Sequence, residues 1–520
     1  MSGPPYDGPL LTKLGATWLG VWLTFLCQCG SATRSSATTS ALTSAAPNVL
    51  VILADDLGWA DVGYHGSREG RSPGGRITTP HLDALARAGR RLEAHYVTPQ
   101  CTPTRTALLT GRFPSRFDTF FVTDEPAFPD DTLTLPRLFK AAGYRTGLVG
   151  KWHLGATPGH RPWEQGFDDS YGALSGFVHP WTQDYVPGPL ARTWHRNGEA
   201  LDERGHNTTE LVTAEAERLL RGYAGRPWFL MLSHFAVHAP VDAPKNFTAT
   251  YETLPDDLTP ADRDSWRRYL GFVAQLDASV GRLVDVLRDT RQFEDTLILF
   301  LSDNGAAGRL EPGHWAERVG DPPLLSTVAG SNAPLRGQKA TVWEGGIRTP
   351  AFVHWPRRIP EGIEAGVMHV ADWLPTFAAI LAHAGRALPS LPRDLDGWDQ
   401  SQRLFGRGVD RPRTLYWKFA GGMAALRQGD WKLITFGRSG YARKKMPTED
   451  PERTDALFDL GRDPYEEHDV ARAHPAIVRS LREALVRAAR HDEVGRVFSP
   501  RHSLFWRPGL SPQTDVYPIP

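Results

Sequence analysis

The chain has 520 residues, with 59 Lys+Arg against 59 Asp+Glu and a formal net charge of zero. Such balance argues against a general nucleic-acid binder, which needs a basic excess to neutralise phosphates. The three cysteines, Cys27, Cys29 and Cys101, exclude a disulfide-rich secreted scaffold. The length suits two or three domains, or one large α/β domain with a smaller companion.

The N-terminus is an apolar run at 14–29, LGATWLGVWLTFLCQC, placed after Lys13 and before a Ser/Thr/Ala-rich stretch. This order predicts an export signal over 1–30 and a disordered tether over 31–46. The run is short for a membrane span, so no stable span is expected. An uncleaved anchor, or a lipid on Cys27 or Cys29, is the alternative. The expected location is secreted or periplasmic, and lysosomal in a eukaryote. Cleavage after Gly30 removes two cysteines and leaves Cys101. Asn207 and Asn246 open Asn-x-Thr sequons, which matter only where the host glycosylates exported proteins.

The folded part starts at Pro47. Residues 48–54, NVLVILA, are a continuous β-branched apolar run, the pattern of a strand buried on both faces. Runs of the same type follow at 145–149, 228–233, 296–302 and 350–354. Between them, 80–89, 134–143, 209–221 and 262–290 have helical spacing. The segment 80–89 also has Pro at its start and Gly at its end. Alternating strands and helices predict a parallel α/β sheet covered on both faces. Beyond about residue 385 the chain turns rich in Pro, Arg, Gly and Asp. Short strands at 414–418, 423–427 and 431–434 and a helix at 475–490 then predict a small α+β unit with an antiparallel sheet. The expected division is 47–405 for the catalytic domain and 406–520 for the smaller domain and its irregular tail.

Two strands run straight into acids. The first ends in Asp55-Asp56, and the strand at 296–302 ends in Asp303-Asn304. Functional residues of open parallel sheets gather beyond the carboxyl ends of strands. Three carboxylates and an amide oxygen are hard ligands, suited to Ca²⁺ or Mg²⁺. Either pair alone is equally explained by capping of the next turn; the two together favour a cation.

Other groups fall at similar places. Cys101-Thr102-Pro103-Thr104-Arg105 opens a helical pattern, and a helix N-terminus lowers a thiol's pKa and attracts anions. Lys151 and His153 follow the strand at 145–149. His238 follows the strand at 228–233, and Lys339 lies in the glycine-rich stretch 335–348. Lys and His on one rim suit an anionic substrate and proton transfer. A surface lysine, a core histidine or a buried structural cysteine explains any one of them alone.

Cys101-Thr102-Pro103-Thr104-Arg105 with Leu109-Thr110-Gly111-Arg112 resembles the sulfatase signature. ADDLGWADVGYHG (54–66), GKWHLG (150–155), GFDDSYG (166–172), SDNG (302–305), LRGQKATVWEGGIR (335–348), HVADWLPT (369–376) and LFDLGRDPYE (457–466) resemble the same family in the same order. The resemblance covers about 46–470 and is strongest to the arylsulfatase B-like branch. Thr104 replaces the more usual Ser but keeps the hydroxyl, and Ala306 replaces a second Gly after SDNG.

The resemblance implies an alkaline phosphatase-like α/β/α sandwich with a mainly parallel sheet, and a smaller C-terminal domain. It implies that a formylglycine-generating enzyme oxidises Cys101 to an aldehyde. The hydrate would be activated by Ca²⁺, or Mg²⁺, held by Asp55, Asp56, Asp303 and Asn304, with residue 101 as a further ligand. One hydroxyl would attack sulfur, with His238 or Lys339 protonating the leaving alcohol. Lys151 and Lys339 would neutralise sulfate oxygens, and Arg105 would support the hydrate and nearby carboxylates. The second hydroxyl would lose its proton towards His153 and expel sulfate. The substrate expected is an aryl sulfate or a sulfated saccharide, such as a glycosaminoglycan or another sulfated polysaccharide. Tyr171 and the stretch 175–185 with Trp181 stand on the substrate side or in the packing. Two alternatives remain: a phosphodiester or phosphonate hydrolase of the same superfamily, and a non-catalytic binder of sulfated glycans.

Overall fold

The computed structural model describes residues 46–65, 77–185, 190–251, 254, 258–309, 328–437, 439–447 and 454–492. The expected signal with Cys27 and Cys29, the tether up to residue 45 and the tail from 493 lie outside these residues.

Ten strands among the described residues form one sheet. In chain order they are β1 (Asn48–Ala54), β2 (Arg90–Leu92), β3 (Arg145–Lys151), β4 (Asp169–Ala173), β5 (His195–Arg196), β6 (Glu199–Ala200), β7 (Trp228–Ser233), β8 (Thr296–Ser302), β9 (Ala351–His354) and β10 (Gly362–Glu364). Across the sheet they run β10-β2-β9-β8-β1-β7-β3-β4-β5-β6. The middle, β8-β1-β7-β3-β4, is parallel throughout.

Helices α1 (Pro80–Ala88), α2 (Cys101–Thr110), α3 (Leu135–Ala141), α4 (Thr208–Tyr223), α5 (Pro260–Asp289) and α6 (Trp373–His383) cover this sheet. Strand side chains alternate between faces, so β1 divides its residues. Leu50, Ile52 and Ala54 pack with α1, α4 and α5, while Val49, Val51 and Leu53 pack with α2, α3 and α6. Both sets are buried, which is why NVLVILA shows no polar alternation. The result is the three-layer α/β/α sandwich expected from the sequence.

One strand departs from that expectation. Residues 350–354 have the same composition as the parallel strands, yet β9 runs antiparallel to β8, with Ala351 opposite Leu301 and His354 opposite Ile298. The chain leaves β8 through the site loops and returns at the same edge, a connection that needs no crossover helix. Composition alone carries no strand direction. The short strands β2, β5, β6 and β10 carry too few residues to show a period.

The first sequon is closed. Asn207 caps α4, accepting from the backbone N–H of Thr209 and Glu210 and from Gln275 Nε2, and is 4% exposed. Asn246 is exposed. No helix among the described residues is long and apolar enough to cross a membrane.

A second sheet is antiparallel, in the order β11 (Thr414–Lys418), β12 (Ala424–Gln428), β13 (Trp431–Thr435), β14 (Asp455–Asp459). Helix α7 (Pro475–Ala489) covers it through Leu481 and Leu485. Tyr96, Val342, Trp343 and Ile347 share this core, so the small sheet packs directly against the glycine-rich stretch 335–348.

Candidate active site

Strands β8, β1, β7 and β3 are neighbours, so their carboxyl ends meet on one rim. Ala54 and Ser302 pair in register, which puts Asp55 and Asp303 side by side. The backbone N–H of Asp303 donates to Ala54 O (3.1 Å), and that of Asp55 to Ala236 O (2.9 Å). Asp56 N–H donates to Asp303 Oδ1 (3.2 Å). All four expected ligands, Asp55, Asp56, Asp303 and Asn304, are buried here.

Each carboxylate has its own cation. Lys151 Nζ lies 2.7 Å from Asp55 Oδ2, Lys339 Nζ 2.6 Å from Asp56 Oδ1, and Arg105 Nη2 2.9 Å from Asp303 Oδ2. Arg105 also donates to Lys151 O and Ser233 Oγ, which ties α2 to β3 and β7. Burial and the neighbouring Asp303 push the Asp55 carboxyl up to about 8, against the pull of Lys151. Burial opposes ionisation of Asp56 too, but Lys339 and His238 overcome it and hold it at about 2.

The donor set fits a hard divalent cation. Asp55 Oδ1 and Asn304 Oδ1 are buried oxygens without a hydrogen-bond partner. Such atoms are costly unless something positive meets them. Asn304 Nδ2 donates to Asp56 Oδ1 (2.7 Å), which fixes the amide with its oxygen free. His238 Nδ1 lies 2.5 Å from Ala239 O and must carry the hydrogen there. In the neutral ring Nε2 is then a bare lone pair, 3.7 Å from Asp56 Oδ2. Asp56 Oδ2 already accepts from Lys339 Nζ (2.8 Å), so the Nε2 lone pair is the acceptor that a further cation or a proton would meet.

Cys101 is the first residue of α2, and its Sγ is 3.3 Å from His153 Nδ1. Of the two readings of this thiol, activation by the helix start and burial, burial prevails. Burial pushes the thiol up, and Lys151 and Lys339 only partly offset this. Burial, then Lys151 and Arg105, push His153 well down, leaving a neutral imidazole. His153 has a left-handed backbone (φ 57°), and Gly176 packs on its ring where a Cβ would lie 2.5 Å away. The ring of Phe177 stacks on His238, 5.6 Å between centroids.

Tyr171 and Trp181 fall outside this cluster. Tyr171 is buried and bonds Glu203, while Trp181 Nε1 donates to Asp242 (2.8 Å). A second buried ion cluster, not foreseen from the sequence, lies against the loop that carries Lys339. Lys432 of β13 bridges Glu344 (2.9 Å) and Glu466 (2.8 Å), all three fully buried. Glu466 also accepts from Glu344 N–H (2.7 Å) and, through its carbonyl, from Arg336 Nη1 (2.8 Å). The small sheet thereby grips both ends of the loop that carries Lys339.

The sulfatase family model matches residues 47–384 of this chain. The chain belongs to the sulfatase family. The match includes mouse arylsulfatase J, 31% identical over 84% of this chain and 74% of that protein. Dog N-acetylgalactosamine-6-sulfatase is 33% identical over 81% of each. Among solved structures, Ps i-CgsB superposes with a TM-score of 0.70 at 27% identity, covering 86% of this chain and 93% of that one. A further structure of that protein holds a neocarrahexaose. This sulfatase is therefore a sulfuric ester hydrolase with the alkaline phosphatase-like architecture.

Proposed function

We propose that this sulfatase removes sulfate from carbohydrate esters, using a nucleophile made at residue 101 and a divalent cation, Ca²⁺ with Mg²⁺ as the alternative. The observation that carries this reading is the meeting of Cys101 and His153 with the unpartnered Asp55 and Asn304 oxygens on one rim. The relatives named for N-acetylgalactosamine sulfate and the carrageenan-bound neighbour support a sugar as the leaving group.

Formylglycine at 101, once hydrated, would supply the attacking oxygen and a second hydroxyl for sulfate release, and a bound divalent cation would supply Lewis-acid activation there. Asp55, Asp56, Asp303 and Asn304 would hold the cation, and its charge there would take over the acids that now pair Lys151 and Lys339, leaving both lysines to meet sulfate oxygens. Arg105 stays on Asp303 and orients it. His153, neutral and beside residue 101, accepts the proton when sulfate leaves. His238, its Nδ1–H fixed on Ala239, would protonate the leaving alcohol from Nε2 only as the imidazolium, and Lys339 on Asp56 is the other donor.

Cys101 is 2% exposed, so its oxidation must precede folding, by a formylglycine-generating enzyme in the secretory or periplasmic route we infer from the N-terminus. The test is turnover of N-acetylgalactosamine-6-sulfate and para-nitrophenyl sulfate beside a bis-aryl phosphate diester. Preference for the sulfates is expected; preference for the diester overturns the reading.

A further inference from the structure

One carboxylate near residue 101 has no place in the chemistry above. Asp124 lies in the loop 119–127, which is fastened on both sides of the nucleophile. Val122 N–H donates to Gln100 Oε1 (3.2 Å), next to Cys101. Ala127 N–H donates to Leu154 O (3.3 Å), next to His153. A Cβ on Gly155 would lie 2.9 Å from Pro126, so this loop and the His153 turn are in close contact. The loop that carries Asp124 is thereby tied to the residue before Cys101 and to the residue after His153.

Across from it stands Tyr185. Its phenol lies 3.5 Å from Asp124 Oδ1 and within electrostatic reach of the Cys101 thiol. Its ring packs edge-on to Phe177 (4.7 Å), which in turn stacks on His238. Asp124, Tyr185, Phe177 and His238 thus form one run of contacts that ends beside Asp56.

A hydrogen bond of 3.5 Å is at the limit of the interaction. A substrate hydroxyl can replace it, accepting from the phenol and donating to the carboxylate. The same carboxylate faces any second anionic group with a like charge. A site that accepts a hydroxyl through a partly buried acceptor discriminates strongly against a substituent that cannot donate.

We propose that Asp124 and Tyr185 are specificity-determining residues that read a free hydroxyl beside the sulfated position and exclude a sugar carrying a second sulfate there. This rests on the sulfatase reading above and names its substrate class more narrowly: saccharide monosulfates.

The probes are N-acetylgalactosamine-6-sulfate, its 4,6-disulfate and para-nitrophenyl sulfate, which has no hydroxyl to read. Wild type should prefer the monosulfate to the disulfate. In Asp124→Asn that preference should fall about tenfold or more, by the scale of one misplaced polar contact. In Asp124→Ala and Tyr185→Phe, kcat/KM on the monosulfate relative to the aryl sulfate should fall by a similar factor, mainly through KM. Equal losses on all three substrates, or no change in either ratio, overturn the proposal. So does a wild type that cleaves the disulfate as well as the monosulfate. A wild type active on the aryl ester and on neither saccharide overturns the proposal and leaves the sulfatase reading standing. A wild type inactive on every sulfate ester overturns both. Tyr185→Phe removes a single hydroxyl and keeps the readout if Asp124 variants fold poorly.

Discussion

Lys151 Nζ and Asp55 Oδ2 are 2.7 Å apart, and both side chains are fully buried. The parallel sheet puts them there: Asp55 follows β1, Lys151 ends β3, and only β7 lies between those two strands. Lys151→Met leaves Asp55 beside Asp303 without its cation. Removing one partner of a buried pair costs about 3–5 kcal/mol, and losing one positioned charge at the reacting group costs about 100-fold or more in kcat. Thermal unfolding and turnover of para-nitrophenyl sulfate measure the two. A variant that keeps both wild-type values contradicts the role given to Lys151.

The unpartnered Asp55 Oδ1 and Asn304 Oδ1 predict a stability effect of the ion itself. A ligand at about 100 times its dissociation constant stabilises the fold by about 2.7 kcal/mol. The unfolding temperature should rise when chelator-treated protein receives Ca²⁺ or Mg²⁺, and Asn304→Ala should shrink the rise. Identical curves with chelator and with either ion would speak against the site.

Gly176 allows the wall of the pocket to press on His153, where a Cβ would lie 2.5 Å from the ring. Gly176→Ala should displace the imidazole from residue 101 and lower kcat by about 10–100-fold, the scale of a 1 Å misplacement. Near-UV circular dichroism should stay native. Unchanged kcat would show that the ring position does not matter.

Behind the site, burial pushes Glu466 up to about 7 while Lys432 pulls it down and Glu344 pushes it up. Despite its burial, Glu344 is held low by Lys432. The folded protein then keeps a proton on Glu466 that the unfolded chain has lost above its ordinary 4.5. Stability contributed by this group therefore falls as pH rises from 4.5 to about 7. Denaturant unfolding of wild type and Glu466→Gln should converge or cross over that window, with the wild type losing ground at the upper end. Parallel pH profiles would contradict it.

Much of the site was legible because its residues follow apolar runs directly. Asp55, Asp303, Lys151 and the His238 segment each sit at the end of a run whose composition marks a buried strand. Strand order was not legible, but the strand-end rule brings these residues together in any parallel sheet. What failed did so for tertiary reasons. For Cys101 the sequence leaves both activation by a helix start and the usual burial of a lone thiol open, and only the packing around α2 decides between them. Lys432 looked like an ordinary strand residue, since its partners Glu344 and Glu466 are remote in the chain. Asn207 looked like a sequon, although the cap it makes on α4 closes it. Asp124 lies in a loop without periodicity, and only that loop's contacts to Gln100 and Leu154 place it, while Tyr185 ends the 175–185 stretch and is placed by Phe177 and Asp124.

The most direct test of the whole account is the mass of the peptide that contains residue 101, taken from a preparation that releases sulfate. Replacement of the thiol by an aldehyde, sulfur exchanged for oxygen with loss of two hydrogens, is the predicted result. An active preparation in which residue 101 is still an unmodified cysteine would contradict it.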